Sequence, residues 1–182
     1  MKKILILAAA MLLTINVFAE VIPASDSRVV YVGRTQVVGA DVSFDWTATY
    51  FRIAFSGESL TMKASETKWD ADADKAATRH NYYNVWIDSP TSAEPHRIIE
   101  VAGNDTVIEL IDPMYLKKSR RAVHEVIVQK RTEGEQGKTT IHEFATDKRG
   151  KFFQAEPLKV RQLEFIGDSY TCGYGIDAKS RL

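Results

Sequence analysis

Between residues 28 and 153 the chain is built from short runs in which apolar and polar residues alternate, and that period of two most restricts its fold. In a strand, successive side chains point to opposite faces, so an alternating run buries one face against a partner layer and wets the other. Phe51, Ile53 and Phe55 alternate with Arg52, Ala54 and Ser56; Tyr83, Val85 and Ile87 repeat the pattern, as do Val126 and Val128. Residues 29–32, 42–46, 60–64, 97–101, 106–111 and 139–144 are further candidate strands, rich in the β-branched and aromatic residues that suit a pleated surface. Eight or nine strands at this spacing, with turn residues between them, predict an all-β sandwich. No long amphipathic helix interrupts them, although residues 113–123 have room for a short helical turn. The polar segment 64–80 and the stretch 89–95, with two prolines, read as loops.

The two ends are of different character. Residues 1–19 carry Lys2 and Lys3, then an apolar run from Ile4 to Phe18 that closes on Val17-Phe18-Ala19. A basic start, a short apolar run and a small residue before the cleavage point make a secretory signal peptide, so the mature chain is expected to begin at Glu20 and to be secreted or periplasmic. The run is shorter than the ~20 apolar residues that span a bilayer, and Thr14 and Asn16 lie inside it, so no membrane association is expected after cleavage. Without Lys2 and Lys3, 22 basic residues face 24 acidic ones. The only basic cluster is Lys117-Lys118 with Arg120-Arg121, which reads as a solvated loop and is no nucleic-acid footprint. Cys172 is the single cysteine, so an exported chain has no internal disulfide and must be held by its core. Composition leaves the oligomeric state open.

Around residues 154–161 the alternation stops. Pro157 and mixed charges read as a linker, and Leu163-Glu164-Phe165-Ile166 then runs apolar into Gly167-Asp168-Ser169. A strand that ends in a glycine-containing turn is how α/β domains present a reactive side chain at the carboxyl edge of a sheet. Here the strand has no partners to pair with. The expected organisation is a signal peptide at 1–19, a sandwich at 20–156, and a linker with the start of a second, incomplete domain at 157–182.

Gly-Asp-Ser alone is common in turns. The longer string GDSYTCGYG at 167–175, after an apolar strand, resembles the first block of the SGNH (GDSL-like) hydrolases, and in the form GDSxTxGYG it resembles carbohydrate esterase family 2. VGRT at 32–35, FRIAFSG at 51–57, NYYNVWID at 81–88 and HEVIVQKRTEGEQG at 124–137 are similar to the same family, in its order and spacing. The resemblance implies a jelly-roll sandwich leading into an SGNH α/β domain, and removal of acetyl groups from plant polysaccharides such as xylan or glucomannan. It makes Ser169 the nucleophile and its backbone N–H an oxyanion donor. Asp168 would hold the turn, and Gly167, Gly173 and Gly175 would support it. The resemblance implies no cofactor and no metal. The family's remaining glycine, asparagine and histidine lie in later blocks, and neither Asn nor His follows Ser169 here, so the chain by itself is not expected to be a competent esterase.

Other features stand beside that reading. His80, His96, His124 and His142 all precede the linker and read as surface or satisfied polar residues rather than as the base for Ser169. Asp70, Asp72 and Asp74 imitate the opening of a calcium loop, but Lys75 stands where its glycine belongs and Asn81 where its glutamate belongs. Trp46, Trp69, Trp86 and Tyr82-Tyr83 can be read as a sugar-stacking platform or as core, with Tyr83 the better core residue and Trp86 left open. Lys130-Arg131-Thr132-Glu133 suggests a local ion-pair network. The alternative to an esterase is a non-catalytic carbohydrate-binding sandwich, against which stands the unpaired strand at 163–166.

Overall fold

The computed structural model describes residues 19–68, 80–91, 93–119, 121–161, 163–171 and 173. All of the expected signal peptide (1–19) but Ala19, and the DADAD segment with Trp69, lie outside those residues, as do Cys172 and Gly175. The described residues form β1 (Val21–Pro23), β2 (Val30–Val32), β3 (Gln36–Val38), β4 (Asp41–Phe44), β5 (Tyr50–Ser56), β6 (Leu60–Thr67), β7 (Asn81–Ile87), β8 (Arg97–Val101), β9 (Thr106–Glu109), one short α-helix α1 (Pro113–Lys118), β10 (His124–Lys130), a 3-10 turn (Gly134–Gln136), β11 (Lys138–Thr146) and β12 (Lys151–Phe153).

They make two antiparallel sheets. The first runs β3-β4-β11-β6-β9 with β1 also on β11; the second runs β12-β5-β10-β7-β8 with β2 also on β5. Alternation decides which side chains meet between them. Phe51, Ile53 and Phe55 of β5, Tyr83, Val85 and Ile87 of β7, and Val126 and Val128 of β10 face inward from the second sheet, and Leu60, Met62, Ala64, Ile141 and Phe144 meet them from the first. Phe51 packs on Phe144 with ring centroids 5.2 Å apart, and Phe44 meets Tyr83 edge-on at 6.1 Å. The Tyr83 hydroxyl donates to Thr139 Oγ1 at 2.7 Å, which satisfies a buried polar atom inside the sandwich.

The structure departs from the sequence expectation where pairing overrides local pattern. β6 continues through Thr67, beyond the expected end at residue 64, because β11 supplies ladder partners as far as Lys138 opposite Thr67. β1, β3 and β12 are three-residue strands that no local alternation marks; each exists by docking on a longer neighbour. Within residues 113–123 the expected helical turn is α1, started by the Asp112 carboxylate accepting the Met114 N–H at 2.8 Å and by Pro113 in the first turn.

The central strand β11 carries a bulge. Ile141 pairs with Ala64 and Glu143 with Lys63, so His142 has no partner on β6 and is the extra residue. His142 and Glu143 both turn to the outer face while Ile141 and Phe144 stay in the core.

Candidate active site

Ser169 sits on a turn that its neighbours hold shut. The Thr171 N–H donates to the Asp168 carbonyl at 3.1 Å, and the Tyr170 N–H donates to Asp168 Oδ1 at 3.0 Å. Asp168 thus accepts from the turn with both backbone and side chain. A Cβ on Gly167 would fall 2.1 Å from Thr171 Oγ1, so the closed turn excludes any larger residue there. Gly173 has φ +73°, in the left-handed region that glycine enters without steric cost. Ser169 and Tyr170 are exposed.

The segment leading to the turn is tied to the sandwich and then released from it. Ala155 is buried and its N–H donates to the Arg28 carbonyl at 3.2 Å, while Arg52 Nη2 reaches Glu156 Oε2 at 2.9 Å and Glu125 Oε1 at 2.5 Å. From Pro157 the chain runs largely along the surface. Leu163, Phe165 and Ile166, where the sequence predicts the first strand of a second domain, make no ladder among the described residues and are 77%, 80% and 88% exposed. Arg34 joins this segment to the sandwich, with Nη2 at 3.4 Å from Glu164 Oε1 and its guanidinium 5.4 Å from the centroid of the Trp46 ring.

The aromatic candidates separate by place. Trp86 is 4% exposed and its indole N–H donates to the Ala93 carbonyl at 2.9 Å. A pyranose needs an open ring face, and Trp86 as it stands offers little of one. Trp46 is 57% exposed. Asn81, the residue standing at the calcium loop's glutamate position, is buried, with its side chain donating to Glu66 Oε1 at 2.9 Å.

Within the 130–133 charge cluster, Lys130 binds backbone carbonyls. It is buried, and its ammonium donates to the carbonyl oxygens of Asp45 at 2.5 Å, Gly137 at 3.0 Å and Glu133 at 3.3 Å, joining three segments at one end of the sandwich. Burial pushes this ammonium down to about 8, against the opposing pull of Asp45, Glu66 and Glu133.

Each of the four histidines has partners within the sandwich. His80 Nδ1 lies 3.1 Å from Glu66 Oε2, His96 Nε2 accepts the Asp112 N–H at 3.3 Å, and His124 Nδ1 lies 2.6 Å from Asp88 Oδ2. His142 lies between Asp41 and Ser65, two residues that sequence reading did not single out because nothing local marks them.

The family model described as carbohydrate esterase 2 N-terminal matches residues 31–156. An acetylxylan esterase / glucomannan deacetylase of Cellvibrio japonicus (strain Ueda107) is 31% identical over 140 residues, which cover 76% of this chain and 32% of that protein. A solved family two carbohydrate esterase from Cellvibrio japonicus matches with a TM-score of 0.70 at 23% identity, over 90% of this chain and 44% of that one. Another, from Clostridium thermocellum in complex with cellohexaose, matches with a TM-score of 0.66 at 22% identity, over 84% of this chain and 41% of that one. These two structural likenesses show the sandwich fold. The chain spans about a third of the length of the curated relative it matches.

Proposed function

The chain belongs to carbohydrate esterase family 2 through its N-terminal domain, and from that premise we propose that it is the N-terminal part of an exported esterase that removes acetyl groups from plant polysaccharides, xylan and glucomannan among them. The observation that carries this reading is the order of parts. A family sandwich leads through a short linker into an exposed serine on a turn closed by Asp168 and Gly167.

Residues 1–19 serve as the signal peptide, 20–156 as the sandwich, and 157–182 as the linker and opening of the SGNH domain. Ser169 is the nucleophile. Its Oγ attacks the acetyl carbonyl, the sugar hydroxyl leaves, and water then hydrolyses the acetyl-serine. The base and the remaining oxyanion donors belong to a continuation of the chain, and the turn residues Gly167, Asp168, Gly173 and Gly175 hold Ser169 in place. The apolar side chains of Leu163, Phe165 and Ile166 suit a strand that pairs with that continuation.

The test is to read the coding sequence past the Leu182 codon in all forward frames and to express what it encodes. The expected continuation carries a glycine, an asparagine and a late histidine in SGNH contexts, and the long protein releases acetate from acetylated xylan. Ser169→Ala in that protein should lower acetate release by several orders of magnitude. Near-normal release by the variant would remove Ser169 from the reaction.

A further inference from the structure

We propose that Ser65, His142 and Asp41, on the outer face of the first sheet, form a second nucleophilic-serine site, one that accepts an acyl group from small activated esters. This inference does not depend on the role of Ser169.

The three residues are far apart in sequence and meet by strand order. β11 lies between β4 and β6, so a side chain on its outer face has Asp41 on one side and Ser65 on the other. The bulge places His142 there as an unpaired extra residue, free to reach both neighbours. His142 Nδ1 is 3.0 Å from Asp41 Oδ1, and Nε2 is 2.8 Å from Ser65 Oγ. That is the connectivity of a serine, a base and an orienting carboxylate, which is recognised by geometry on any fold.

The hydrogen-bond polarity is consistent with it. A carboxylate only accepts, so in the neutral imidazole the Asp41 contact puts the proton on Nδ1 and leaves a lone pair on Nε2. Ser65 Oγ already accepts the Asp105 N–H at 2.9 Å, which leaves its own hydrogen for Nε2. Asp105 reaches that position from a left-handed backbone conformation, φ +52°, and its carboxylate is held by Lys63 Nζ at 2.9 Å. A non-glycine residue in that conformation needs its surroundings to fix it. The imidazole and the Asp41 carboxylate are part-exposed, so a small ester can approach.

In the acylation step Oγ bonds to the carbonyl carbon and its proton passes to Nε2. The carbon–oxygen bond to the leaving alcohol then breaks, and Nε2–H returns the proton to that alcohol. The products are acyl-Ser65 and the free alcohol. As Oγ gives up its lone pair, the Asp105 N–H is released to donate to the developing oxyanion. With this single backbone donor, the expected behaviour is slow transfer to the serine rather than fast turnover.

The experiment exposes the whole chain to a fluorophosphonate probe and, separately, to p-nitrophenyl acetate, and maps the modified serine by peptide mass spectrometry. The adduct is expected on Ser65, absent in Ser65→Ala. His142→Gln, which keeps a hydrogen-bonding side chain but no base, should slow labelling by roughly 100-fold. Asp41→Asn, at the sheet margin, should slow it by at least roughly tenfold through the wrong tautomer, with an unchanged circular dichroism spectrum. Absence of any Ser65 adduct, an adduct on Ser169 alone, or Ser65 labelling at an unchanged rate in both variants would overturn the proposal, because Ser65 would then be only part of a polar outer-face ladder. Since the two serines lie on different peptides, failure at Ser65 leaves the Ser169 reading to its own test.

Discussion

β5 and residues 163–166 are both short apolar runs, yet they have opposite fates. In β5, Phe51, Ile53 and Phe55 are fully buried, with β10, β2 and β12 supplying ladder partners and the first sheet covering the rings. In 163–166, Leu163, Phe165 and Ile166 stand in solvent and no strand is made. β-propensity is similar in the two runs. What differs is the presence of a neighbour, because a strand's backbone groups and its apolar face are both satisfied from outside the strand.

That contrast can be tested from either side. The largest effect is expected in the sandwich, where Phe51→Ala should cost about 3–5 kcal/mol, read from the urea midpoint, since it empties a site between two packed sheets. Loss of less than half of that would show the sheets to be loosely packed at this point.

Lys130 provides a pH-dependent test of the same core. Its folded value of about 8 lies below the ordinary 10.5, so between those values the unfolded chain holds more protons than the folded one. Stability should therefore rise with pH above about 8, by up to ~1.4 kcal/mol per pH unit, and the rise should vanish in Lys130→Met. A slope shared by the variant would assign the effect to other groups.

Asp147 gives a smaller effect on the acid side. Burial alone would raise its carboxyl, but the backbone N–H groups of Glu58, Arg149, Gly150 and Ser59 outweigh that and hold it below the ordinary 3.8. The stabilisation is present above the ordinary value and is lost as pH falls through the lowered one. Asp147→Ala should cost about 1–3 kcal/mol at neutral pH, with the gap to the wild-type protein closing in acid. The smallest effect belongs to Phe165→Ala, expected within ~0.5 kcal/mol in this chain. In the longer protein of the functional proposal the same substitution should cost as a core residue does; equal indifference there would break the idea that 163–166 is a strand awaiting its sheet.

Much of the sandwich is legible in the chain because alternation is a local property. Tyr83, Val85 and Ile87 share a face whatever lies opposite them, and the sequence shows that without knowing the partner. The serine turn is legible for the same reason, since glycine and aspartate act on their own backbone within a few residues. What the sequence left open or missed concerns neighbours. Trp86 lies outside the inner stripe of β7 yet is buried, its indole N–H donating to the Ala93 carbonyl, and Lys130 is held by the carbonyls of Asp45, Glu133 and Gly137, which are distant or unmarked in the local pattern.

By itself, then, the sequence determined the period-two sandwich, the family it belongs to and the turn that carries Ser169. Only the tertiary structure decided that Asp41, Ser65 and His142 meet. Their meeting depends on β11 lying between β4 and β6 and on a one-residue bulge at His142, and both are set by long-range ladder pairing. Such pairing joins residues that no local pattern relates, since the cost of closing the intervening loops is repaid only when the whole sheet assembles.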